Sequence, residues 1–558
     1  MSSTSPRPAS RGAIASENRV ASAIGAQILR DGGSAIDAAI ATTLAVGTLC
    51  SDNSGIGGGG FALIRTPEGL HESLNFRPAA PAAVNSKMYS DKPGASAVGG
   101  LAVAVPGEIR GFEAMHRKYG RLPWSRLFEP SIKLAREGFP LTEDTARVVN
   151  VKTRAPNSID PKSSWVYTHP TLSQWLTREG ELLPIGTTLT RPEYAHTLEK
   201  IAEEGASAFY SGEIAQGIVN AVKTEGGVMT LEDLRGYEAR EVEPLSVHYR
   251  GHKITSVGAP ASGAVVLAAL NILDNFEDIG GPHSVKDAHR MIESLKHAFA
   301  HRTLLGDPMF VPGLDAAQRE FICPARGRLL RAKIDDSKVY APSEYTAEGF
   351  RTVKTNCRIE IKMDHGTSHI VAADASGLVV SLTTTITLHW GSRIIVHSSG
   401  IVLNDSMEDF SVEGVSNFWG YLPTPANYIE GGKRPLSSTS PFIIEDARGR
   451  FRYAGGAAGG SRIVSCNVQQ IRNVLDYDMD PAETLAHPRL HDQIAPQETH
   501  LEEGWKRETA ADLQKLGHQV KWLPVAPTTA CGVSYNPDTG EWKAAGEPRR
   551  IAAGGEVV

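Results

Sequence analysis

From position 367 the chain reads Thr367-Ser-His-Ile-Val-Ala-Ala373, then Asp374-Ala-Ser-Gly377, then Leu378-Val-Val-Ser-Leu-Thr-Thr-Thr-Ile-Thr387. Two runs of β-branched and small apolar residues around a short cluster of turn formers spell a β-hairpin. Side chains alternate along a strand, so Thr383, Thr385 and Thr387 share one face of the second strand and can approach the start of the first. Thr367 stands at that start, directly behind Gly366. Further strands are expected near Ile394 and over residues 400–403, 442–444, 519–523 and 531–535, which makes the final third the β-rich part.

The rest reads mainly as helix. Residues 17–30 place Val20, Ala21, Ile24 and Ile28 on one face and stop at Asp31-Gly-Gly33. Ser34-Ala-Ile-Asp37 is a capping box that opens a second helix, apolar all round from Ala38 to Val46 and therefore expected to be buried. The segment Ser54-Gly-Ile-Gly-Gly-Gly-Gly60 leads into a strand, Phe61-Ala-Leu-Ile-Arg65; lacking both GK[ST] and a clean GxGxxG, it suits close backbone packing rather than a nucleotide. Residues 81–251 read as helical scaffold, and a helix over 284–305 sets Ile292, Leu295 and Phe299 on one stripe. Residues 1–15 are expected to form a mobile arm and 312–365 a polar surface connection. The length of 558 residues could hold several domains, yet no repeat or linker divides it.

Several function classes are disfavoured. A net charge of −6, with no Lys/Arg block interleaved with aromatics, makes nucleic acid an improbable partner. Cys50, Cys323, Cys357, Cys466 and Cys531 are odd in number and lack zinc spacing, so neither a disulfide framework nor a metal is expected, and no cofactor motif is present. The uncharged stretch 254–273 is long enough to span a bilayer, but Gly258, Pro260, Ser262, Gly263 and Asn271 interrupt it, and a strand, turn and buried helix explain it better. The first residues carry no apolar signal-peptide core, from which a cytoplasmic address is expected.

Within Asp364-His-Gly-Thr-Ser-His369, a bend entering a strand would explain the residues structurally. The same arrangement is what a self-cleaving precursor needs, because glycine permits the backbone that lets a following hydroxyl attack its own carbonyl. After an N-to-O acyl shift and hydrolysis, Thr367 would own a free α-amine of pKa roughly 7.7–8.0, able to accept the hydroxyl proton near neutral pH. One residue would then be nucleophile and base together.

Five ordered segments give the chain a wider resemblance: Ser54 to Phe61, Thr367-Ser-His369, Asn404-Asp-Ser-Met-Glu-Asp-Phe410, Lys433-Arg-Pro-Leu-Ser-Ser438 and Gly459-Gly-Ser-Arg462. Through them it resembles the gamma-glutamyltranspeptidases (glutathione hydrolases), of the N-terminal nucleophile hydrolase superfamily, over nearly its whole length. The resemblance implies an α+β fold, a four-layer α-β-β-α sandwich, cut between Gly366 and Thr367 into a large segment (1–366) and a small one (367–558) that stay associated as one unit. It aligns Thr367 with the nucleophile, Thr385 with its supporting hydroxyl, and Gly459 and Gly460 with the oxyanion-hole amides. Arg77, Ser437 and Ser438 align with the grip on the donor's α-carboxylate, and Asp409 with the acid that holds its α-ammonium.

The departures concern the donor's amine. Thr387 stands where relatives commonly carry Asn, Ser406 where they carry Glu or Gln, and Pro78 where a Glu is frequent. Glu547 replaces an Asp that often opens the C-terminal Asp-Pro-Arg-Arg motif. The resemblance thus implies γ-glutamyl hydrolysis or transfer, with water, an amino acid or a peptide as acceptor. Two alternatives stay open: an amidase for glutaryl-like acyl groups lacking the α-amine, and a non-catalytic binding descendant.

Overall fold

The computed structural model describes residues 11–92, 94–155, 158–345, 366–413, 421, 423–523 and 528–558. Among these, thirteen strands build two central sheets: β1 (Gly12–Ser16), β2 (Gly59–Arg65), β3 (His71–Asn75), β4 (Arg240–Val242), β5 (Pro244–Tyr249), β6 (His252–Val257), β7 (Gly366–Asp374), β8 (Val379–Thr387), β9 (Phe442–Glu445), β10 (Phe451–Ala458), β11 (Thr529–Asn536), β12 (Glu541–Gly546) and β13 (Gly554–Val557). The first sheet runs β13-β1-β7-β8-β2-β3-β4 and the second β12-β11-β10-β9-β6-β5. Helices α1 (Arg19–Arg30) and α2 (Ala35–Leu49) cover the first sheet, α3 (Gly263–Leu273) and α5 (Arg462–Asp476) cover the second, and α4 (Val285–Arg302) packs on α3. The order of layers is helix, sheet, sheet, helix, as expected.

Alternation along the central hairpin creates this layering. Ile370, Ala372, Val380 and Leu382 pack toward the helices, while Val371, Ala373 and Val379 face the second sheet, where they meet Ile443, Ala454 and Val533. With both faces covered, every residue of β7 and β8 is buried. Threonine is therefore costly there unless its hydroxyl finds a partner. Capping works as the sequence indicates: the Ser34 side chain accepts from the Asp37 amide, and α2 is buried along its whole length.

Several expectations need correction. Residues 11–15 belong to no arm: β1 inserts between β13 and β7, with Ile14 buried in the core on the helix side. Residues 1–10 lie outside the described residues. The first helix begins at Arg19, because the Asn18 side chain accepts from the amides of Val20 and Ala21 and ends the helix there, leaving Glu17 outside it. The stretch expected as a loop over 312–365 contains helices Leu314–Phe321 and Pro324–Arg331, the latter opened by proline at its first turn; its residues 346–365, including Asp364, His365 and Cys357, lie outside the described residues. Strand β10 went unforeseen because Gly455 and Gly456 interrupt its pattern. The stretch 254–273 is β6, a turn and α3, and no helix among the described residues is long and apolar enough to cross a membrane.

One buried acid braces the hairpin from the helix side. Thr384 donates to Glu108, a residue without solvent exposure at the start of helix Glu108–Tyr119, and burial raises that carboxyl from 4.5 to about 7. The folded chain then keeps a proton that the unfolded chain releases above its ordinary pKa, so this group makes stability fall as pH rises from 4.5 to about 7. Glu108→Gln should flatten that fall by at most roughly 3 kcal/mol. Thermal unfolding across this pH range measures it, and an unchanged slope would reject the buried, protonated assignment.

Candidate active site

The hairpin closes on a local irregularity. Thr367 pairs with Thr385, but Gly366 pairs with Thr387, so Ile386 is an extra residue on β8 opposite the Gly366–Thr367 bond. Thr387 adopts φ +84°, an unfavourable backbone for a β-branched residue. The bulge turns the Thr387 amide toward Thr385 Oγ1, to which it donates at 2.8 Å. Thr385 Oγ1 in turn donates to the Gly366 carbonyl at 2.5 Å and lies 3.0 Å from Thr367 Oγ1. One hydroxyl therefore touches both the Thr367 hydroxyl and the carbonyl of the Gly366–Thr367 peptide.

Glycine at 366 serves a purpose different from the one expected. Its φ is not in the left-handed region; instead a Cβ there would lie 2.7 Å from both the Asp52 and the Leu388 carbonyl oxygens. The missing side chain allows two backbone segments to close on the Gly366–Thr367 peptide.

Beside this pair the two sheets touch through a histidine. His369 Nδ1 bonds Thr383 Oγ1 at 2.9 Å, and a Cβ on Gly456 would fall 2.2 Å from its ring, so only glycine lets β10 pass over β7 here. Burial lowers His369 to about 3, which keeps it neutral and gives it a packing role. Ser381 donates to the Gly455 carbonyl at 3.0 Å, which fixes the alignment of β10 along the hairpin. Continuing from Gly455 and Gly456 in the same sense carries β10 toward the Thr367 end, where Gly459 (φ +144°) and Gly460 (φ +59°) turn into the N-terminus of α5. Backbone amides at such a terminus suit a developing negative charge.

Register places Arg77, expected to grip a donor, in the same row as Thr367. Thr367 pairs with Thr385, Thr385 with Gly59, and the β2–β3 register, Phe61 opposite Asn75, extends to Gly59 opposite Arg77. Gly59 puts no side chain between Thr385 and Arg77. The Arg77 guanidinium is fully buried and ion-paired to Asp409, while its Nε and Nη1 have no hydrogen-bond partner among the described residues. Asn427 donates to the Asp409 carbonyl at 2.8 Å and accepts from the Leu436 amide at 2.9 Å, which ties Asp409 to the segment carrying Ser437 and Ser438. Ser438 Oγ lies 3.2 Å from the Tyr421 hydroxyl. Thr387 Oγ1 and Ser406 Oγ bond each other at 2.9 Å.

The structure thus brings Thr367, Thr385 and Gly366 into contact, joins Arg77 to Asp409, and pairs Thr387 with Ser406. Sequence reasoning missed Arg302, which donates to Ser438 Oγ at 3.4 Å and stacks on Tyr421 at 3.7 Å, because its position at the end of α4 carried only the signal of a core helix.

The match to the gamma-glutamyltranspeptidase family model extends over residues 21–557. The chain belongs to the gamma-glutamyltranspeptidase family. It is 40% identical to the glutathione hydrolase proenzyme of Arthroderma benhamiae over 562 residues, covering 98% of this chain and 93% of that protein. It is 34% identical to the glutathione hydrolase proenzyme of Escherichia coli, covering 98% and 92%. Among solved structures, the cephalosporin acylase of Bacillus halodurans superposes with a TM-score of 0.83 at 25% identity, covering 100% of this chain and 98% of that one. Helicobacter pylori gamma-glutamyltranspeptidase gives 0.54 at 30% identity, covering 60% of this chain and 95% of that one.

Within this family member the Thr385 hydroxyl is the most exacting test of the geometry. Thr385→Val keeps shape and burial but removes the donor to Gly366, and should slow by about 10²-fold or more the appearance of the two fragments expected from a cut before Thr367. The time course of precursor loss on a denaturing gel reads this directly; processing at the parent rate would refute the assigned contact.

Proposed function

We propose that this protein is a self-processing γ-glutamyl hydrolase/transferase whose nucleophile is Thr367. The observation that carries the reading is the Thr385 hydroxyl held between Thr367 Oγ1 and the Gly366 carbonyl. In maturation, Thr367 Oγ1 attacks the Gly366 carbonyl carbon while Thr385 donates to the oxygen that gains charge. The C–N bond breaks, the nitrogen takes a proton, and water hydrolyses the resulting ester. The products are segments 1–366 and 367–558, the latter beginning with a threonine that carries its own amine.

In turnover the same oxygen attacks the γ-carbonyl of a bound donor. The amides of Gly459 and Gly460 receive the oxyanion, and the α-amine passes the proton to the leaving amine. Water or an amino acceptor then releases the acyl group. Length supports a γ-glutamyl donor: three interstrand spacings separate Thr367 from Arg77, about 14 Å. An arginine side chain reaching about 6 Å and a γ-glutamyl group spanning about 5 Å from γ-carbonyl to α-carboxylate, with the threonine side chain, fill that span.

Charge supports it as well. The Arg77–Asp409 pair is the complement of an α-amino acid head: a carboxylate can replace Asp409 at the guanidinium, and an ammonium can replace Arg77 at the carboxylate. A second reading, a glutaryl-type amidase, draws on Thr387 and Ser406, which satisfy each other and offer no charge to an amine. Comparing γ-glutamyl and glutaryl anilides separates the two, and a marked preference for the glutaryl compound would replace the first reading by the second.

Thr367→Ala should abolish both cutting and turnover, since nucleophile and scissile residue are one; two fragments from that variant would overturn the reading. Arg77→Ala should raise KM for γ-glutamyl donors by about 10²-fold while leaving maturation intact. Its accumulation as a folded, uncut precursor would remove Arg77 from the donor site.

A further inference from the structure

On the face of β7 that looks toward the helix layer, away from the donor pocket, four buried polar side chains are joined by hydrogen bonds. Glu17, Asn53, Ser54 and Ser368 are each at most 7% exposed. Ser368, the residue after the nucleophile, donates its hydroxyl to Glu17 Oε1, and Asn53 Nδ2 donates to Glu17 Oε2 at 3.2 Å. Ser54 Oγ lies 2.9 Å from Ser368 Oγ. Glu17 comes from the two-residue link between β1 and α1, where the Asn18 cap frees its side chain to turn inward.

What this carboxyl holds in place is the scissile bond. Ser368 is directly bonded to Thr367. The loop carrying Asn53 reaches the other side of the same peptide: the Asn53 carbonyl accepts from the amide of Ile386, the bulge residue, at 3.3 Å, and the Asp52 carbonyl accepts from Trp390 at 3.0 Å. That Asp52 carbonyl is also one of the two that a side chain on Gly366 would strike. The two oxygens of Glu17 therefore clamp the strand that bears the nucleophile to the loop that supports the bulge presenting Thr385. Two such donors could be met by water at a surface; in a buried site they need a protein acceptor, and a carboxyl has two oxygens to offer.

We propose that Glu17 is a positioning residue for Thr367, acting through Ser368 and Asn53 to set the approach of the hydroxyl to the carbonyl it attacks, in maturation and again in turnover. It touches neither substrate nor the reacting atoms. The role is that of a hydrogen-bond acceptor, so glutamine at this position retains it in part and alanine does not. Burial, which raises the Glu17 carboxyl to about 7, agrees with a group that acts without needing full charge. The inference rests on the reading of Thr367 as the self-cleaving nucleophile.

The experiment uses the full-length precursor as the parent, Glu17→Ala, Glu17→Gln and Ser368→Ala proteins. Rates of precursor conversion are followed on denaturing gels, and kcat and KM of the matured fraction are measured with γ-glutamyl p-nitroanilide. Glu17→Ala and Ser368→Ala should each convert about tenfold more slowly or worse, and show a comparable fall in kcat with KM changed by no more than about twofold. Glu17→Gln should recover most of both rates. Ser368→Ala removes one hydroxyl without a large cavity, so it decides the matter if Glu17→Ala does not fold. Parent-like rates in Ser368→Ala and in any soluble Glu17→Ala would overturn the proposal, as would a defect confined to KM or a glutamine variant as slow as the alanine one. A parent protein that never cuts would instead sink the nucleophile reading on which the proposal stands.

Discussion

Everything near the reactive centre depends on the register between β7 and β8. A threonine pair facing across two antiparallel strands is ordinary; here one extra residue at Ile386 displaces the backbone so that the Thr387 amide, the Thr385 hydroxyl and the Gly366 carbonyl form a single chain of hydrogen bonds. The unfavourable φ of Thr387 is maintained because its neighbours leave no alternative: its hydroxyl is tied to Ser406, the next amide to Asp405 Oδ1 at 2.9 Å, and both sheet faces are covered. Strain of this kind persists only where surrounding packing over-determines it.

The Arg77–Asp409 pair follows a related logic of charge. An arginine buried to 0% exposure would be strongly destabilising alone, and Asp409 supplies its counter-charge. Two guanidinium nitrogens nevertheless lack partners among the described residues, which leaves forked donors ready for a planar carboxylate. Nearby, Arg302 contributes a second positive group against Tyr421 and Ser438.

Much of this was legible in the sequence because it depends on short periods. The hairpin, the capping box at Ser34, the buried α2 and the alternation that brings Thr385 to Thr367 all follow from patterns a few residues long. Features set by distant backbone were not. Strand β10 carries two glycines that weaken its pattern, and the reason for Gly456 is a histidine 87 positions earlier in the chain, at 369. Glu17 read as the first residue of a helix, since nothing local announces that its side chain turns toward Ser368. The positive φ of Thr387 is likewise a tertiary outcome, invisible to propensity.

Strand order carries a last consequence. A break between Gly366 and Thr367 would leave β1 of the preceding piece inserted between β13 and β7 of the following one, while β8 would remain bonded to β2, and β9 to β6. Neither piece would own a complete sheet. A nicked molecule would therefore be threaded together like interlaced fingers, and its two pieces could part only by melting both sheets, so that affinity between them and conformational stability would become one quantity.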